Sequence, residues 1–207
     1  MNRLKILIEG YARERKGGWV ASSTTSLIQT DAHNIIVDPG INRRLLVEQL
    51  RRHGLAPSDV DCVFVSHYHL DHSALVGLFE KATIVDGTTV YDKDSEAAYE
   101  KVLPGTDIEV LPTPGHAPEH ASLIVRTPDE GTVVVAQDVF WWKDGEEQKT
   151  DRESLLAQPD PFATDEQALR ESRSKVLDIA DWIIPGHGKK FSVGKAPKRQ
   201  ILPSRQL

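Results

Sequence analysis

Residues 61–75 read DCVFVSHYHLDHSAL. The first six make a short apolar run of the kind that forms a buried strand. Directly behind it come His67, His69, Asp71 and His72. The whole chain has eight histidines, so three within six positions is a concentration that needs a cause. In an extended segment side chains alternate, and His67, His69 and Asp71 then project to one side. Neutral imidazole and carboxylate are good ligands for zinc and similar divalent cations. The competing reading is a solvated loop with incidental histidines. The buried strand immediately before the cluster speaks against it, because such loops usually follow polar linkers.

The same arrangement recurs along the chain. NIIVDPG (34–40) delivers Asp38, VLPTPGH (110–116) delivers His116, VVVAQD (133–138) delivers Asp138 and WIIPGH (182–187) delivers His187. Each of these alone reads as a turn, a cap or a hydrogen-bonded histidine. Together they place polar groups at the ends of several strands, where a layered α/β fold aims side chains into one crevice.

Further strands are expected at LKILIE (4–9), WVASSTTSLIQT (19–30), TIVD, IEVLPTP and ASLIVRT, with a charged loop at GYARERKGG (10–18). Residues 41–53 put Ile41, Leu45, Leu46 and Leu50 on one helical face. A short helix is expected around ALVGLFE. A longer one, DEQALRESRSKVLDIA, would open on a capping box of Thr164 and Gln167. Residues 141–163 are the least regular stretch, and the tail of about 195–207 is basic. Strands first and last with helices between imply a layered domain of mixed class.

Bulk properties narrow the function. The net charge of −6 argues against a general nucleic-acid binder. The single cysteine, Cys62, sits in an apolar run and excludes an intramolecular disulfide. No apolar stretch reaches the roughly 20 residues of a membrane helix, and the apolar run at the N-terminus is too short for a signal peptide. The expected compartment is the cytoplasm, with no membrane partner. Oligomeric state is not readable.

The pattern H-x-H-x-D-H at 67–72, followed by His116, Asp138 and His187, resembles the metallo-β-lactamase superfamily from about Asp38 to Gly188. The resemblance implies an α+β fold, an αββα sandwich of two mixed sheets flanked by helices, spanning residues 1–207 as one domain. It implies a dinuclear centre of two divalent ions, zinc first, with iron or manganese as alternatives. His67, His69 and His116 would hold one ion, Asp71, His72 and His187 the other, and Asp138 would bridge them. Asp38 would stand behind the ligands and support them, while His120, four residues after His116, reads as a supporting or merely polar residue rather than a ligand. The implied chemistry is hydrolysis by a hydroxide shared between the ions, oriented by Asp71 or Asp138.

PTPGHAPEH and IIPGHG resemble glyoxalase II-like thioesterases and acyl-homoserine-lactone lactonases. DVFWW and SRSKVLDIADWIIPGHG resemble the group called metallo-β-lactamase domain-containing protein 1, some of whose members are assigned RNA cleavage. The expected substrate is therefore a small ester, thioester, lactone or phosphoester. An RNA or DNA phosphodiester is the alternative, although the exosite arm and large insertion of known nucleases of this fold are missing. A metal-stabilised binding protein without turnover is a third reading. Its signature would be lost ligands, and all seven candidates are present. Tyr68, Trp141 and Trp142 are candidate pocket residues; Arg13 and Arg15 in ARERK read either as a steer for anionic substrates or, at least as readily, as part of a solvated charged hairpin.

Overall fold

The computed structural model describes residues 1–194, so the basic tail expected at about 195–207 lies outside the described residues. Among the described residues fourteen strands and four α-helices follow in chain order. The strands are β1 (Arg3–Ile8), β2 (Tyr11–Arg15), β3 (Gly18–Ser22), β4 (Thr25–Gln29), β5 (Asn34–Val37), β6 (Cys62–Phe64), β7 (Thr83–Val85), β8 (Thr89–Asp92), β9 (Ser95–Ala98), β10 (Glu109–Pro112), β11 (Ala121–Thr127), β12 (Gly131–Trp141), β13 (Trp182–His187) and β14 (Phe191–Ser192). The helices are α1 (Arg43–Arg52), α2 (Leu70–Ser73), α3 (Arg152–Ala157) and α4 (Glu166–Ile179).

Two mixed sheets carry the fold. One has the order β1-β4-β5-β6-β7-β8-β9 and the other β10-β11-β12-β13-β14. β5, β6 and β7 run parallel, as do β12 and β13, while the remaining neighbours are antiparallel.

Strand alternation explains the layers. Ile35 and Val37 of β5 meet Val133 and Val135 of β12 in the core between the sheets. Ile36, facing the other way, packs with Leu46 and Leu50 of α1. Val134 and Ala136 pack outward against Leu169, Val176 and Leu177 of α4. Strands covered on both faces must be apolar at every position, which is why NIIV and VVVA read as unbroken runs. The result is the expected αββα sandwich.

Several local expectations change. The loop at 10–18 is the first arm and tip of a two-stranded hairpin, β2–β3, and the extended stretch 19–30 splits into β3 and β4. A second hairpin, β8–β9, extends the first sheet at polar residues whose pattern carries no apolar alternation. The helix around ALVGLFE shrinks to α2 and a single 3₁₀ turn at Val76–Leu78, where Gly77 disfavours a longer helix. Ile41 lies ahead of α1, which starts after Asn42 caps it. α4 is capped by Asp165, whose carboxylate accepts from the Ala168 amide. Thr164 is occupied elsewhere: its amide and hydroxyl both donate to the Gly115 carbonyl.

Candidate metal centre

One end of the sandwich gathers the polar residues. β5 runs into Asp38, β6 into Ser66 and His67, and β13 ends in His187. His116 comes from the connection between β10 and β11. Asp138 is aimed inward by an irregularity in β12. The β12–β13 register shifts on either side of Gln137, whose φ is +46°. Asp38 also has positive φ, +47°. Non-glycine residues rarely take this conformation, and here it sits beside the gathered groups.

Two donor groups result. In the first, His69 Nδ1 lies 3.0 Å from both His67 Nε2 and His116 Nε2. Asp138 Oδ2 completes it, 3.3 Å from His116 Nε2 and 3.9 Å from His67 Nε2. In the second, Asp71 Oδ2 lies 3.3 Å from His187 Nε2 and 3.9 Å from His72 Nε2. Asp138 Oδ1 faces this group, 3.2 Å from His72 Nε2 and 3.9 Å from His187 Nε2. The two oxygens of one carboxylate thus look toward different triads.

Hydrogen bonds behind the rings set their tautomers. His72 Nδ1 donates to Asp38 Oδ2 at 2.7 Å, His116 Nδ1 to Asp160 Oδ2 at 2.8 Å, and His187 Nδ1 to the Tyr11 carbonyl at 3.1 Å. His67 Nδ1 donates to Ser66 Oγ at 2.9 Å, since that hydroxyl gives its own proton to Asp38 Oδ2 at 2.6 Å. Four rings therefore turn a bare Nε2 lone pair inward. His72 Nε2 and Asp138 Oδ1 are buried without a hydrogen-bond partner. Facing lone pairs and an unpaired carboxylate repel unless a cation lies between them, and nitrogen and oxygen donors of this kind suit divalent zinc, iron or manganese. Burial works against the charge on Asp138, and positive charge on the side of His72, His187 and His116 is what holds its carboxyl well below the usual carboxylate range; with neutral rings, a bound cation would have to supply that charge.

His120 is in none of the donor groups. Its Nδ1 meets Thr113 Oγ1 at 2.9 Å, its ring lies 5.0 Å from that of His67, and burial pushes it down to about 3.

A polar seam lies beneath the donors. Ser22, Ser23, Thr24, Thr25 and Ser26 are all fully buried. The Ser23 amide donates to the Asp71 carbonyl, the Thr24 amide to the Gly186 carbonyl, and Thr25 Oγ1 to the Asp38 carbonyl. Gln137 Nε2 donates to the Thr24 carbonyl. One stretch of chain thus ties together four segments around the centre: the one carrying Asp71, the one carrying Asp38, β12 and β13. Its sequence reads as extended chain, but five small hydroxyl residues in a row do not show which distant groups they bind.

Above the donors opens a cleft of about 450 Å³. Its floor is His69, Asp71, His116, Asp138 and His187, and its sides include Trp19, Ile41, Leu70, Trp141 and Phe162. Trp19, Trp141 and Phe162 form an aromatic wall, with ring centroids 5.7–6.4 Å apart.

Of the pocket residues expected from the sequence, Trp141 lines this cleft. Trp142, the next residue after β12, faces the opposite way and packs against Phe191 in the apolar layer beneath α4. Tyr68 is exposed and donates to Asp86 Oδ2 at 2.5 Å, away from the donors. Arg13 pairs with Asp144, and Arg15 is exposed at the hairpin tip; neither lines the cleft. Sequence reasoning missed Trp19, Ile41, Leu70 and Phe162, apolar residues of kinds that normally signal core. It also missed Asp160, which nothing in QPDPF singles out.

Comparison with known proteins decides the family. Residues 18–107 match the model of the metallo-β-lactamase superfamily. The metallo-β-lactamase domain-containing protein 1 of Xenopus laevis is 35% identical over 199 residues, covering 92% of this chain and 81% of that protein. The chain belongs to the metallo-β-lactamase superfamily. Superfamily members include the N-acyl homoserine lactonase of Bacillus thuringiensis, 31% identical over 118 residues that cover 48% of this chain and 46% of that protein. Among solved structures, a metallo-β-lactamase-like protein of Thermotoga maritima superposes with a TM-score of 0.68 at 21% identity, covering 92% of this chain and 99% of that one. The superfamily is one of metal-dependent hydrolases, and the His/Asp cluster described above is where a metal would bind.

Proposed function

We propose that the chain is a dinuclear metallohydrolase that cleaves a small ester, thioester or lactone carrying an apolar substituent. The observation that carries this reading is Asp138, whose two oxygens face two separate donor triads on the floor of an apolar cleft. His67, His69 and His116 would hold one divalent ion and Asp71, His72 and His187 the other, with zinc the first choice. When bound, such a pair supplies Lewis acidity and lowers the pKa of a water between them.

The chain's own residues do the rest. Asp71 lines the cleft and is partly open to it, so its carboxylate can hold a water by hydrogen bond and take up its proton. Trp19, Trp141 and Phe162 offer an apolar face that seats the substrate's non-reacting part and excludes water. Among the described residues that line the cleft there is no lysine or arginine, which disfavours a polyanionic strand and a phosphoester. Among the described residues no helix is long and apolar enough to cross a membrane.

The test combines metal analysis with a panel of thioester, lactone, ester, phosphodiester, β-lactam and RNA substrates. The expected result is close to two ions per chain, turnover of the apolar thioesters or lactones, and loss of turnover in a folded Asp138→Ala variant. That loss should exceed the about 10- to 100-fold cost of losing an outer partner of a ligand. A chain that binds no metal and melts unchanged after chelation would overturn the reading. RNA cleavage that depends on Asp138 would move the substrate to nucleic acid.

A further inference from the structure

The loop at 158–163 reaches the candidate centre twice. Asp160 Oδ2 accepts from His116 Nδ1, while Asp160 Oδ1 accepts from the Phe162 amide at 3.0 Å. Phe162 then stands in the aromatic wall. What holds this loop is a residue of α4. Arg173 is 3% exposed. Its Nε donates to the Val139 carbonyl at 3.0 Å, next to Asp138, and its Nη1 donates to the Gln158 carbonyl. Gln158 Nε2 in turn donates to the Trp141 carbonyl.

Arg173 is an expensive choice at this place. Its Nη2 has no hydrogen-bond partner, and no carboxylate stands within ion-pair distance among the described residues. Its guanidinium lies 5.9 Å from the Phe140 ring. Burial lowers its pKa to about 10, and the charge of Asp160 is what opposes that. A well-packed apolar side chain would fill such a position at lower cost, so the cation has a use.

We propose that Arg173 and Asp160 form a positioning pair for the first donor group: Arg173 fixes the 158–163 loop against β12, and Asp160 passes that placement to His116. The affinity of the His67, His69 and His116 group for a metal ion then depends on an α4 residue with no hydrogen bond or ion pair to any of its donors. The proposal rests on the metal-centre reading above, and the experiment separates the two.

Zinc and cobalt affinities are measured by chelator competition in the wild type, and then in a His187→Ala background in which the second group is disabled. A wild type that binds no metal overturns the metal-centre reading. A wild type that binds two ions lets the pair be tested on its own. Asp160→Asn keeps the shape but weakens the acceptor, and should lower affinity at the first group about 10- to 100-fold. Arg173→Met should lower it in the same direction. The double variant should bind no more weakly than Asp160→Asn alone, because Arg173 acts through Asp160. Additive losses in the double variant, or an Asp160→Asn variant with wild-type affinity, would overturn the proposal. If Arg173→Met does not fold, as judged by its melting curve, Arg173→Lys takes its place in the cycle under the same criteria.

Discussion

The floor and the sides of the cleft are built on opposite principles. Beneath and within the floor, Asp38, His67, His72, His116 and Asp138 are buried polar side chains, and all but Asp138 are hydrogen-bonded to another polar group behind the donors. The sides are large apolar residues, and all but the buried Trp141 are left open: Trp19 is 40% exposed, Ile41 45%, Phe162 45% and Leu70 70%. Buried donors with one tautomer each are suited to fixing an ion to within tenths of an ångström. Exposed apolar groups on a hairpin and on loops can adapt to different acyl or aryl groups without disturbing that geometry. Chemistry should therefore fail when the floor is touched, and selectivity should shift when the sides are.

The largest effect is expected from Gly186→Ala. A Cβ there would lie 1.7 Å from Asp138 Oδ1 and 3.1 Å from the Asp138 amide. The bridging carboxylate would have to leave its place, and the Gly186 carbonyl also takes the Thr24 amide at 2.6 Å. Metal content and turnover should drop as far as in Asp138→Ala, with a lower melting temperature besides. A Gly186→Ala protein that still holds two ions would mean the close packing of β12 on β13 is not what aims Asp138.

The same contrast decides how much could be read in advance. Polar residues that interrupt apolar strands stand out in a sequence, so Asp38, the 67–72 cluster, His116, Asp138 and His187 were all legible, and their order carries the family resemblance that implies the sandwich. Asp160 was not, because its role exists only once a loop 44 residues along the chain folds back onto His116. The run from Ser22 to Ser26 was hidden for a related reason: its partners are the backbone carbonyls of distant loops, which leave no trace in side-chain type. Trp19 and Phe162 carry no signal of their own, since a lone aromatic in a sequence is more often core than wall. The charged arm ARERK reads equally as a steering loop or as a solvated hairpin, because its exposed half shows no apolar alternation, and the structure makes it the hairpin β2–β3.

An intermediate effect is expected at the sides. Phe162→Ala removes one face of the aromatic wall but leaves its amide bond to Asp160 available. Aromatic contacts contribute about 0.5–1.5 kcal/mol beyond area burial, so KM for an apolar substrate should rise about 3- to 10-fold. The kcat and the metal content should hold, and an acetyl substrate too short to reach the wall should be unaffected. An equal loss in kcat for short and long substrates would instead place Phe162 with the floor, acting through Asp160.

The smallest effect is expected from Arg15→Gln. The charged hairpin arm invites the idea of steering an anionic substrate, but its charges are engaged or remote. Arg13 is paired with Asp144, whose carboxylate also takes the Ala12 amide at 3.1 Å, so that pair serves to hold the hairpin. Lys143 stands 5.3 Å from the Trp19 ring and 3.6 Å from Glu14. Arg15 is exposed at the tip, where salt screens a charge within about 8–10 Å. Against a net charge of −6, removing one such cation should change kcat/KM for an anionic ester by less than about two-fold at physiological salt. The measurement is kcat/KM for a charged and a neutral ester of equal length, at low and high salt. A large loss confined to the charged ester at low salt would make the hairpin a steering arm, and selection would then begin outside the cleft rather than on its apolar sides.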